Sequence, residues 1–317
     1  HRGQVIGRRK RVFLGFGEVM MRVCPEQRLR WQQALPGRVE VTWGGGEANV
    51  CASLAMYNHP VRFLTALPDH PISRSLEQSL RGLGIDTSHI YWRERGRLGV
   101  YYVEVGANQR GSTILYDRDN TAISQAAAEE YDFDAALEGI RWVHLTGITP
   151  AISEAACAAN LELARRAKQA GASVCCDLNY RNKLWRWHSE ISGRELARQR
   201  MAELLPLVDL VISNEEDAAD VLDIHAEKTD VTRGQLDLDS YQQVARSIAE
   251  RYPNVSSVAI TLRESISADH NNWGGMLLDV ASDKCFLAPI SSEGQYAPYQ
   301  VHDIVDRIGA GDSFAAG

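Results

Sequence analysis

The residues best suited to chemistry lie near the end of the chain, in the tetrapeptide Gly309-Ala310-Gly311-Asp312. Residues 299–305 before it alternate in polarity as a strand does, and the run from Ser313 is small and compatible with a helix. Two glycines at such a joint allow the backbone to turn tightly and bring several N–H groups together. A helix that begins there presents unpaired N–H groups and the positive end of its dipole, which favours an anion such as a phosphate.

Asp312 is the unusual member of this tetrapeptide, because a carboxylate repels a phosphate bound beside it. The carboxylate has a purpose there if it takes a proton from the group that attacks the phosphate. The alternative is structural, since aspartate is a favoured N-cap and Asp312 would then cap the helix after a glycine-rich turn. The short glycine motif alone does not decide between a catalytic base and a cap.

A second glycine-rich turn lies near the start of the chain, at Gly44-Gly45-Gly46, and opens into a helix with Asn49 in its first turn. Together, in this order and at this distance, the two turns resemble those of the ribokinase-like (PfkB) carbohydrate kinases. That family has a Gly-Gly turn followed by a helix asparagine as its N-terminal signature and Gly-Ala-Gly-Asp as its C-terminal one. The resemblance extends from the strand at Phe13 to the end of the chain.

The resemblance implies a sugar site around the first glycine turn. Gly45 and Gly46 would allow close approach of the backbone, and the amide of Asn49 would contact hydroxyl groups, so that these three residues form the floor of the site. Tyr101 matches a tyrosine that contacts the substrate in similar kinases, although a residue on such a strand can equally serve in hydrophobic packing.

Within the family, three segments are similar to those of the 2-keto-3-deoxygluconate kinases. They are residues 144–150, residues 177–181 with Leu184-Trp185 soon after, and residues 306–312. The general family pattern has a small residue or proline where Arg307 stands, which we interpret as a feature of this subgroup. The resemblance implies ATP-dependent phosphorylation of the terminal hydroxyl of 2-keto-3-deoxygluconate, giving 2-keto-3-deoxy-6-phosphogluconate.

A sugar acid needs a cation for its carboxylate, and the planar arginine side chain offers two parallel donors to such a group. Arg118 and Arg181 stand where the resemblance puts substrate-binding arginines. Each can alternatively be an ordinary surface arginine. A neutral sugar would not need both, so a fructokinase or ribokinase-like specificity is the first alternative.

The resemblance also implies a mechanism. Asp312 removes the proton from the terminal hydroxyl, whose oxygen attacks the γ-phosphate of ATP in line, while the N–H groups of Gly309, Ala310 and Gly311 hold the developing negative charge. Positioning and electrostatics do most of the work in phosphoryl transfer. Mg²⁺ is expected mainly through the ATP phosphates, and a monovalent cation is left open.

The predicted nucleotide side departs from the family pattern at two places. Residues 214–217 resemble the Asn-x-x-Glu element that is linked to Mg²⁺ and phosphate handling, with Asn214 in place but Asp217 shorter by one methylene. The alternative is an N-capped acidic helix start. Many relatives have a Lys-x-Gly turn where Arg263 stands; the arginine supplies the charge, but the glycine is absent and the loop to Trp273 is longer.

Strands alternate with helices along most of the chain, from a first buried strand at residues 11–18 to residue 280. This alternation predicts an α/β fold with a doubly wound, mostly parallel sheet and helices on both faces. The β-rich pieces at residues 19–43 and 98–117 are interpreted as a small lid, the second as a hairpin. Ligands of such folds lie beyond the carboxyl ends of the strands, where the two glycine turns would converge.

Composition excludes several classes of protein. The 317 residues carry a net charge of −7, which argues against a general binder of nucleic acid or of anionic membranes. The basic run at residues 8–11 is interpreted as a solvated part of an N-terminal lead-in, residues 1–10. The six cysteines show no CxxC spacing, so reduced core thiols in a cytoplasmic protein are expected.

The chain stops at Gly317, one to two turns into the helix that begins near Asp312. In the family, more helices follow and complete the adenine pocket. We therefore expect a single kinase domain over residues 11–317 whose C-terminal part is missing. A non-catalytic sugar-binding protein on the kinase scaffold is the second alternative, and an exposed lid sheet suggests a homo-oligomer.

Overall fold

The structure is a computed structural model that describes residues 12–225 and 238–317. The expected N-terminal lead-in lies outside the described residues. The strands are β1 Val12–Phe16, β2 Met20–Pro25, β3 Val39–Gly44, β4 Val61–Leu64, β5 Ala66–Pro68, β6 Ile85–Asp86, β7 Tyr91–Arg93, β8 Val100–Glu104, β9 Thr113–Asp117, β10 Ile140–Thr146, β11 Ser173–Asp177, β12 Leu210–Ser213, β13 Ser257–Ser265, β14 Asn271–Asp279, β15 Lys284–Ala288 and β16 Tyr299–Val301.

The helices surround these strands and connect most of them. They are α1 Trp31–Ala34, α2 Gly46–Met56, α3 Pro71–Gly82, α4 Ala122–Gln125, α5 Phe133–Leu137, α6 Thr149–Ile152, α7 Glu154–Gln169, α8 Gly193–Leu204, α9 Glu215–Leu222, α10 Leu238–Arg251 and α11 Ala310–Ala316. None of the helices within the described ranges combines the length and the apolar character that crossing a membrane requires.

The central sheet has ten strands in the order β15-β14-β13-β12-β11-β10-β1-β4-β6, with β16 pairing to β14. All neighbours from β13 to β6 are parallel, whereas β14, β15 and β16 add antiparallel strands at one edge. The predicted doubly wound, mostly parallel sheet is confirmed. Helices connect most of the parallel strands, as the right-handed crossover between such strands requires.

The sheet is covered on both faces, because its inner strands send apolar side chains to two separate cores. On β1, Leu14 and Phe16 belong to the larger core, while Phe13 packs against the smaller one. On β4, Leu64 and Phe63 divide in the same way. Successive residues of a strand point to opposite faces, so a strand that is apolar throughout must be buried on both sides.

Local signals place the helix ends. The hydroxyl of Ser153 accepts a hydrogen bond from the N–H of Ala156 and caps α7, and Gly171, with φ of 75°, lies just beyond its end. Asn58, just beyond the end of α2, has φ of 65°, the left-handed conformation that often ends a helix. These caps fix where each helix meets the sheet.

The lid is a second, four-stranded sheet in the order β3-β2-β8-β9. The predicted hairpin at its edge is confirmed, since β8 and β9 pair antiparallel. The inward residues Met20, Cys24, Tyr101 and Val103 form a small core of the lid. A short helix, α1, interrupts the lid piece for which only strands were predicted.

One further expectation from the sequence needs correction. The long loop after Arg263 is instead a hairpin: β13 continues to Ser265, and β14 returns from Asn271 in antiparallel register, with Arg263 opposite Trp273. The apolar run at residues 61–67 is divided between two strands, because β5 leaves the central sheet and pairs with β7.

Candidate active site

A cleft of about 640 Å³ lies between the lid and the carboxyl ends of the central strands. All the predicted site residues line this one cleft. They are Gly45, Gly46, Asn49, Tyr101, Arg118, Arg181, Asn214, Asp217, Arg263, Gly309, Ala310, Gly311 and Asp312. The cleft also collects residues that were not assigned to the site, among them Glu18, Asp177, Lys183 and Arg307.

The two glycine-rich turns meet at a hydrogen bond. Nδ2 of Asn49, in the first turn of α2, donates to Oδ2 of Asp312 over 2.7 Å. The N-cap of α11 is Gly309, whose φ of 87° suits glycine, and the N–H of Ser313 donates to its carbonyl oxygen over 2.8 Å. The alternative prediction that Asp312 caps this helix is therefore wrong, because Asp312 lies within the first turn and its carboxylate faces Asn49.

Asp312 is largely buried at the bottom of the cleft, and this raises the pKa of its carboxyl group. The hydrogen bond from Asn49 and the positive charge of Arg181 act in the opposite direction. Both interactions favour the ionised form, which is the form that can accept a proton. Burial thus increases the basicity of the Asp312 carboxylate, whereas Asn49 and Arg181 reduce it.

The first glycine turn needs its glycines because the chain passes close to its neighbours. A Cβ on Gly45 would lie 2.1 Å from the carbonyl oxygen of Glu18. A Cβ on Gly44 would lie 2.1 Å from the hydroxyl oxygen of Tyr101. Gly46 is less crowded, and a Cβ there would lie 3.7 Å from Oδ1 of Asp312, in ordinary contact. The turn therefore packs against the lid on one side and approaches Asp312 on the other.

Arg118 is buried, with only 7% of its side chain exposed, so the alternative of a surface arginine is wrong. Its Nε donates to Oε2 of Glu18 over 2.7 Å, and its Nη2 forms an ion pair with the same oxygen. Glu18 directly follows the glycines that end β1 and is 3% exposed. The sequence reasoning missed this partner, because nothing in a single glutamate after a strand reveals that an arginine 100 positions later will pair with it.

Arg181 and Tyr101 reach the cleft in different ways. Arg181 follows β11 and is exposed at the cleft, with one long hydrogen bond of 3.4 Å to the carbonyl oxygen of Tyr180. Tyr101 is buried in the lid core and lies at 6.2 Å, ring to ring, from Tyr116. Burial raises the pKa of Tyr101 to about 12, so its hydroxyl stays protonated and can donate a hydrogen bond.

A second buried carboxyl group, Asp177, ends β11 beside Asp312. Its oxygens accept hydrogen bonds from the N–H and the side-chain amide of Asn179, over 3.2 and 3.3 Å. Burial raises the pKa of Asp177 well above its usual value, and the negative charges of Asp217 and Asp312 raise it further. In the sequence, Asp177 is noticeable only as the first residue of the segment 177–181, and no role was predicted for it.

Asn214 caps α9, as the structural alternative predicted: its Oδ1 accepts from the N–H of Asp217 over 2.7 Å. Its Nδ2 also donates to Oδ2 of Asp217 over 2.9 Å, and Oδ1 of Asp217 accepts from the N–H of Tyr180 over 3.1 Å. Burial raises the pKa of Asp217 to about 6. Asn214 can cap α9 and also line the cleft, so the predicted role of Asn214 and Asp217 in nucleotide binding remains a prediction.

Arg263 and Arg307 bring further positive charge to the same end of the cleft. Arg307 donates to Oγ of Ser265 over 2.8 Å and to Oδ1 of Asn271 over 3.2 Å, which ties it to the β13–β14 hairpin. The pKa of Arg263 is lowered by desolvation and by the neighbouring charge of Arg307. Two adjacent guanidinium groups favour an anion between them.

The lid is held over the cleft by ion pairs. Arg22 of β2 lies 2.5 Å from the carboxylate of Asp306, whose other oxygen accepts from the N–H of Ile308 over 2.9 Å. Farther out, Arg28 of the lid donates to Asp269, in the turn of the β13–β14 hairpin, over 2.9 Å. The loop before Gly309 and the lid strand β2 are thus directly connected.

Within residues 12–225 and 238–317, no group of three or more histidine, cysteine, aspartate and glutamate side chains could hold a metal ion. The oxygen ligands that line the cleft, such as Asp177 and Asp217, are of the type that Mg²⁺ prefers. All six cysteines are free thiols, and five of them are buried.

Comparison with known proteins places this arrangement among sugar kinases. A family model described as pfkB family carbohydrate kinase matches residues 14–244. A 2-dehydro-3-deoxygalactonokinase of Haloferax volcanii is 32% identical over 209 residues, which are 66% of this chain and 62% of that protein. The chain thus spans less than two thirds of the length of this curated relative.

Two solved structures are similar over almost the whole chain. A crystal structure of 2-dehydro-3-deoxygluconokinase from Thermotoga maritima superposes with a TM-score of 0.84 at 37% identity, over 96% of this chain and 85% of that one. A PfkB family carbohydrate kinase from Listeria grayi superposes with a TM-score of 0.82 at 30% identity, over 96% and 85% of the two chains.

Proposed function

Since this chain belongs to the pfkB family of carbohydrate kinases, we propose that it is an ATP-dependent kinase of a sugar acid. The proposed reaction transfers the γ-phosphoryl group of ATP to the terminal hydroxyl of 2-keto-3-deoxygluconate, also called 2-dehydro-3-deoxygluconate. The products are 2-keto-3-deoxy-6-phosphogluconate and ADP. The name of the similar protein from Thermotoga maritima supports this substrate.

One observation carries the proposal. Asp312, paired with Asn49 over 2.7 Å, lines the same cleft as the two arginines Arg118 and Arg181. A carboxylate base and two cations in one cleft suit a substrate that carries an acid at one end and a reactive hydroxyl at the other.

In the proposed mechanism, the carboxylate of Asp312 takes the proton of the terminal hydroxyl. The hydroxyl oxygen forms a bond to the γ-phosphorus in line with the bond to the bridging oxygen of ADP, which breaks and leaves its electron pair on ADP. Asn49 holds the carboxylate of Asp312 in place through the hydrogen bond to its Oδ2. Burial increases the basicity of this carboxylate, which strengthens it as a proton acceptor.

The N–H groups of Gly309, Ala310 and Gly311 would donate to the oxygens of the transferring phosphoryl group, because they precede the first hydrogen bond within α11. Asn214, Asp217 and Arg263 would serve the nucleotide and its phosphates from the other strand ends. Mg²⁺, expected mainly through the ATP phosphates, supplies charge neutralisation there when bound.

Two alternatives differ in the substrate. The name of the relative from Haloferax volcanii supports the galacto epimer, 2-keto-3-deoxygalactonate, which carries the same carboxylate and terminal hydroxyl. A neutral sugar such as fructose or ribose is the other alternative, although such a sugar would not need both Arg118 and Arg181. If none of these substrates is phosphorylated, the alternative is a protein that binds a sugar without catalysis.

The test is an assay of ATP-dependent phosphorylation of the two epimeric sugar acids, fructose and ribose. We expect activity on a sugar acid and a loss in Asp312→Asn of about a hundredfold to ten-thousandfold in kcat, the usual contribution of a general base. Substrate binding should persist in this variant. Activity on fructose or ribose alone would contradict the acid specificity, and full activity of Asp312→Asn would contradict the mechanism.

The lid supports a further proposal, a homo-oligomer formed through this sheet. Val41 of β3 and Leu115 of β9 are exposed apolar residues on it. Sedimentation of the wild type beside a Val41→Glu/Leu115→Glu variant tests this, since a monomer mass for both would contradict it. A cytoplasmic location is likewise expected from the free cysteines.

A further inference from the structure

We propose that Glu18 is a positioning residue for substrate recognition: its buried carboxylate orients the Arg118 guanidinium so that one edge of it faces the acid group of the substrate. This inference rests on the proposed function and deepens it. The two side chains are 3% and 7% exposed, and both line the cleft. Their ion pair joins the end of β1 to the end of the lid hairpin.

The pair leaves a defined part of Arg118 available. Glu18 engages Nε, over 2.7 Å, and Nη2 of the guanidinium, which are the two donors along one edge. A guanidinium has a second edge, formed by Nη1 and the other N–H of Nη2, with the same spacing of donors. Because Glu18 occupies the first edge, the second is left for a substrate carboxylate. Nη2 of Arg118 is buried and makes no further hydrogen bond among the described residues, so it still has a donor to satisfy there.

Packing for stability does not account for the Glu18 carboxylate. Its Oε1 is buried and has no hydrogen-bond partner among the residues that the structure describes. An unsatisfied buried acceptor costs free energy, and a buried ion pair is no more stabilising than apolar side chains of similar volume. Since the buried charge of Glu18 costs free energy of folding, we interpret it as serving substrate recognition.

The backbone around Glu18 is shaped to admit it. A Cβ on Gly99 would lie 2.8 Å from Oε1 of Glu18, and a Cβ on Gly45 would lie 2.1 Å from its carbonyl oxygen. Gly99 of the lid and Gly45 of the first glycine turn therefore both pack directly against Glu18, at positions with no room for a side chain. Since Gly45 is itself at the floor of the cleft, the geometry links the placement of Glu18 to the sugar site.

The consequence concerns selectivity. Because the pair is neutral in sum, Arg118 attracts anions in general only weakly, and it recognises a carboxylate through the direction of its hydrogen bonds. Arg181 forms no salt bridge within residues 12–225 and 238–317 and is exposed at the cleft, so it supplies the long-range attraction. Glu18 therefore contributes to the preference for a sugar acid over a neutral sugar rather than to binding of sugars in general.

The experiment measures binding of 2-keto-3-deoxygluconate and of fructose by calorimetry without nucleotide, for the wild type, Glu18→Gln, Glu18→Asp, Arg118→Gln and the double variant. The preference is the ratio of the two dissociation constants. We expect Glu18→Gln to reduce it by about tenfold or more through weaker binding of the acid, with fructose nearly unchanged. Glu18→Asp keeps the charge but is one methylene shorter, so it should lose less.

The double variant shows whether Glu18 acts through Arg118. We expect Glu18→Gln/Arg118→Gln to lose no more preference than Arg118→Gln alone, since residues that act as a unit are not additive. The double variant also restores a neutral buried pair, which keeps the test available if Glu18→Gln folds poorly. Glu26→Gln is the matched control, because Glu26 is an exposed lid residue whose side chain forms no hydrogen bond or ion pair within the described ranges.

The outcomes separate the two proposals. A wild type that binds the acid no better than fructose overturns both the acid specificity and the role of Glu18. A wild-type preference that survives or increases in Glu18→Gln overturns the role of Glu18 alone. Equal weakening of acid and fructose in Glu18→Gln overturns it as well, because that is what a merely structural residue would produce.

Discussion

Nδ2 of Asn49 donates a hydrogen bond of 2.7 Å to Oδ2 of Asp312, although the two residues lie 263 positions apart in the chain. One belongs to the first turn of α2 and the other to the first turn of α11. The contact joins the two glycine-rich turns and fixes the proposed base against the floor of the cleft.

Replacing Asn49 by alanine removes a donor that favours the ionised form of Asp312, so the pKa of Asp312 should rise. Since the base must be ionised to act, the acidic limb of the pH profile of kcat/KM should move to higher pH. At neutral pH we expect a loss of about tenfold. The measurement is kcat/KM as a function of pH, with Gln78→Ala on the exposed side of α3 as the control. An unshifted acidic limb would show that Asn49 does not act on Asp312.

Replacing Arg181 by glutamine should raise KM for the sugar acid by about tenfold or more, because a charge-assisted contact to its carboxylate is lost. The same change removes a positive charge that lowers the pKa of Asp312, so the acidic limb should again move to higher pH. Steady-state kinetics on the sugar acid and on fructose provide the measurement. Arg186→Gln, an exposed arginine outside the cleft, is matched to it. The same effect in both variants would contradict a specific contact.

Asn214→Ala should cost about 1 kcal/mol in the free energy of unfolding, because α9 loses its N-cap. It should also raise KM for ATP, because Asn214 holds the carboxylate of Asp217 at the cleft. Ser192→Ala is the matched control, since Ser192 caps α8 in the same way but does not line the cleft. Chemical denaturation and ATP kinetics together separate the two effects. If both variants change KM for ATP equally, Asn214 is only a cap.

Gly45→Ala should destabilise the protein by about 1–3 kcal/mol and reduce activity, because the new Cβ would lie 2.1 Å from a backbone oxygen of Glu18. Gly82→Ala serves as the contrast. It lies at the end of α3 with nothing within 4 Å of an added Cβ, so it should stabilise by about 0.4–1 kcal/mol. Thermal unfolding of both variants checks this pair. A Gly45→Ala protein as stable and active as the wild type would contradict the close packing described for the turn.

Sequence alone accounts for much of the local structure and identifies thirteen of the residues that line the cleft. Backbone preferences that act within a few residues determine the local features of the fold. Examples are the helix ends at Ser153 and Asn58, the β8–β9 hairpin and the alternation of strands and helices. The parallel sheet follows from that alternation, and a parallel sheet brings the carboxyl ends of its strands to one edge. Residues that follow different strands therefore had to meet at one cleft.

Which side chains pair with one another depends on the tertiary structure. Glu18 and Arg118 are 100 positions apart. Gly309 is the N-cap of α11, and the carboxylate of Asp312, inside the first turn, accepts a hydrogen bond from Asn49 of a distant helix. The hairpin in place of a loop after Arg263 likewise depends on pairing between β13 and β14. Burial and the charges of residues distant in sequence raise or lower the pKa of Asp177 and Asp312. Both depend on packing in three dimensions, which cannot be predicted from the spacing of residues along the chain.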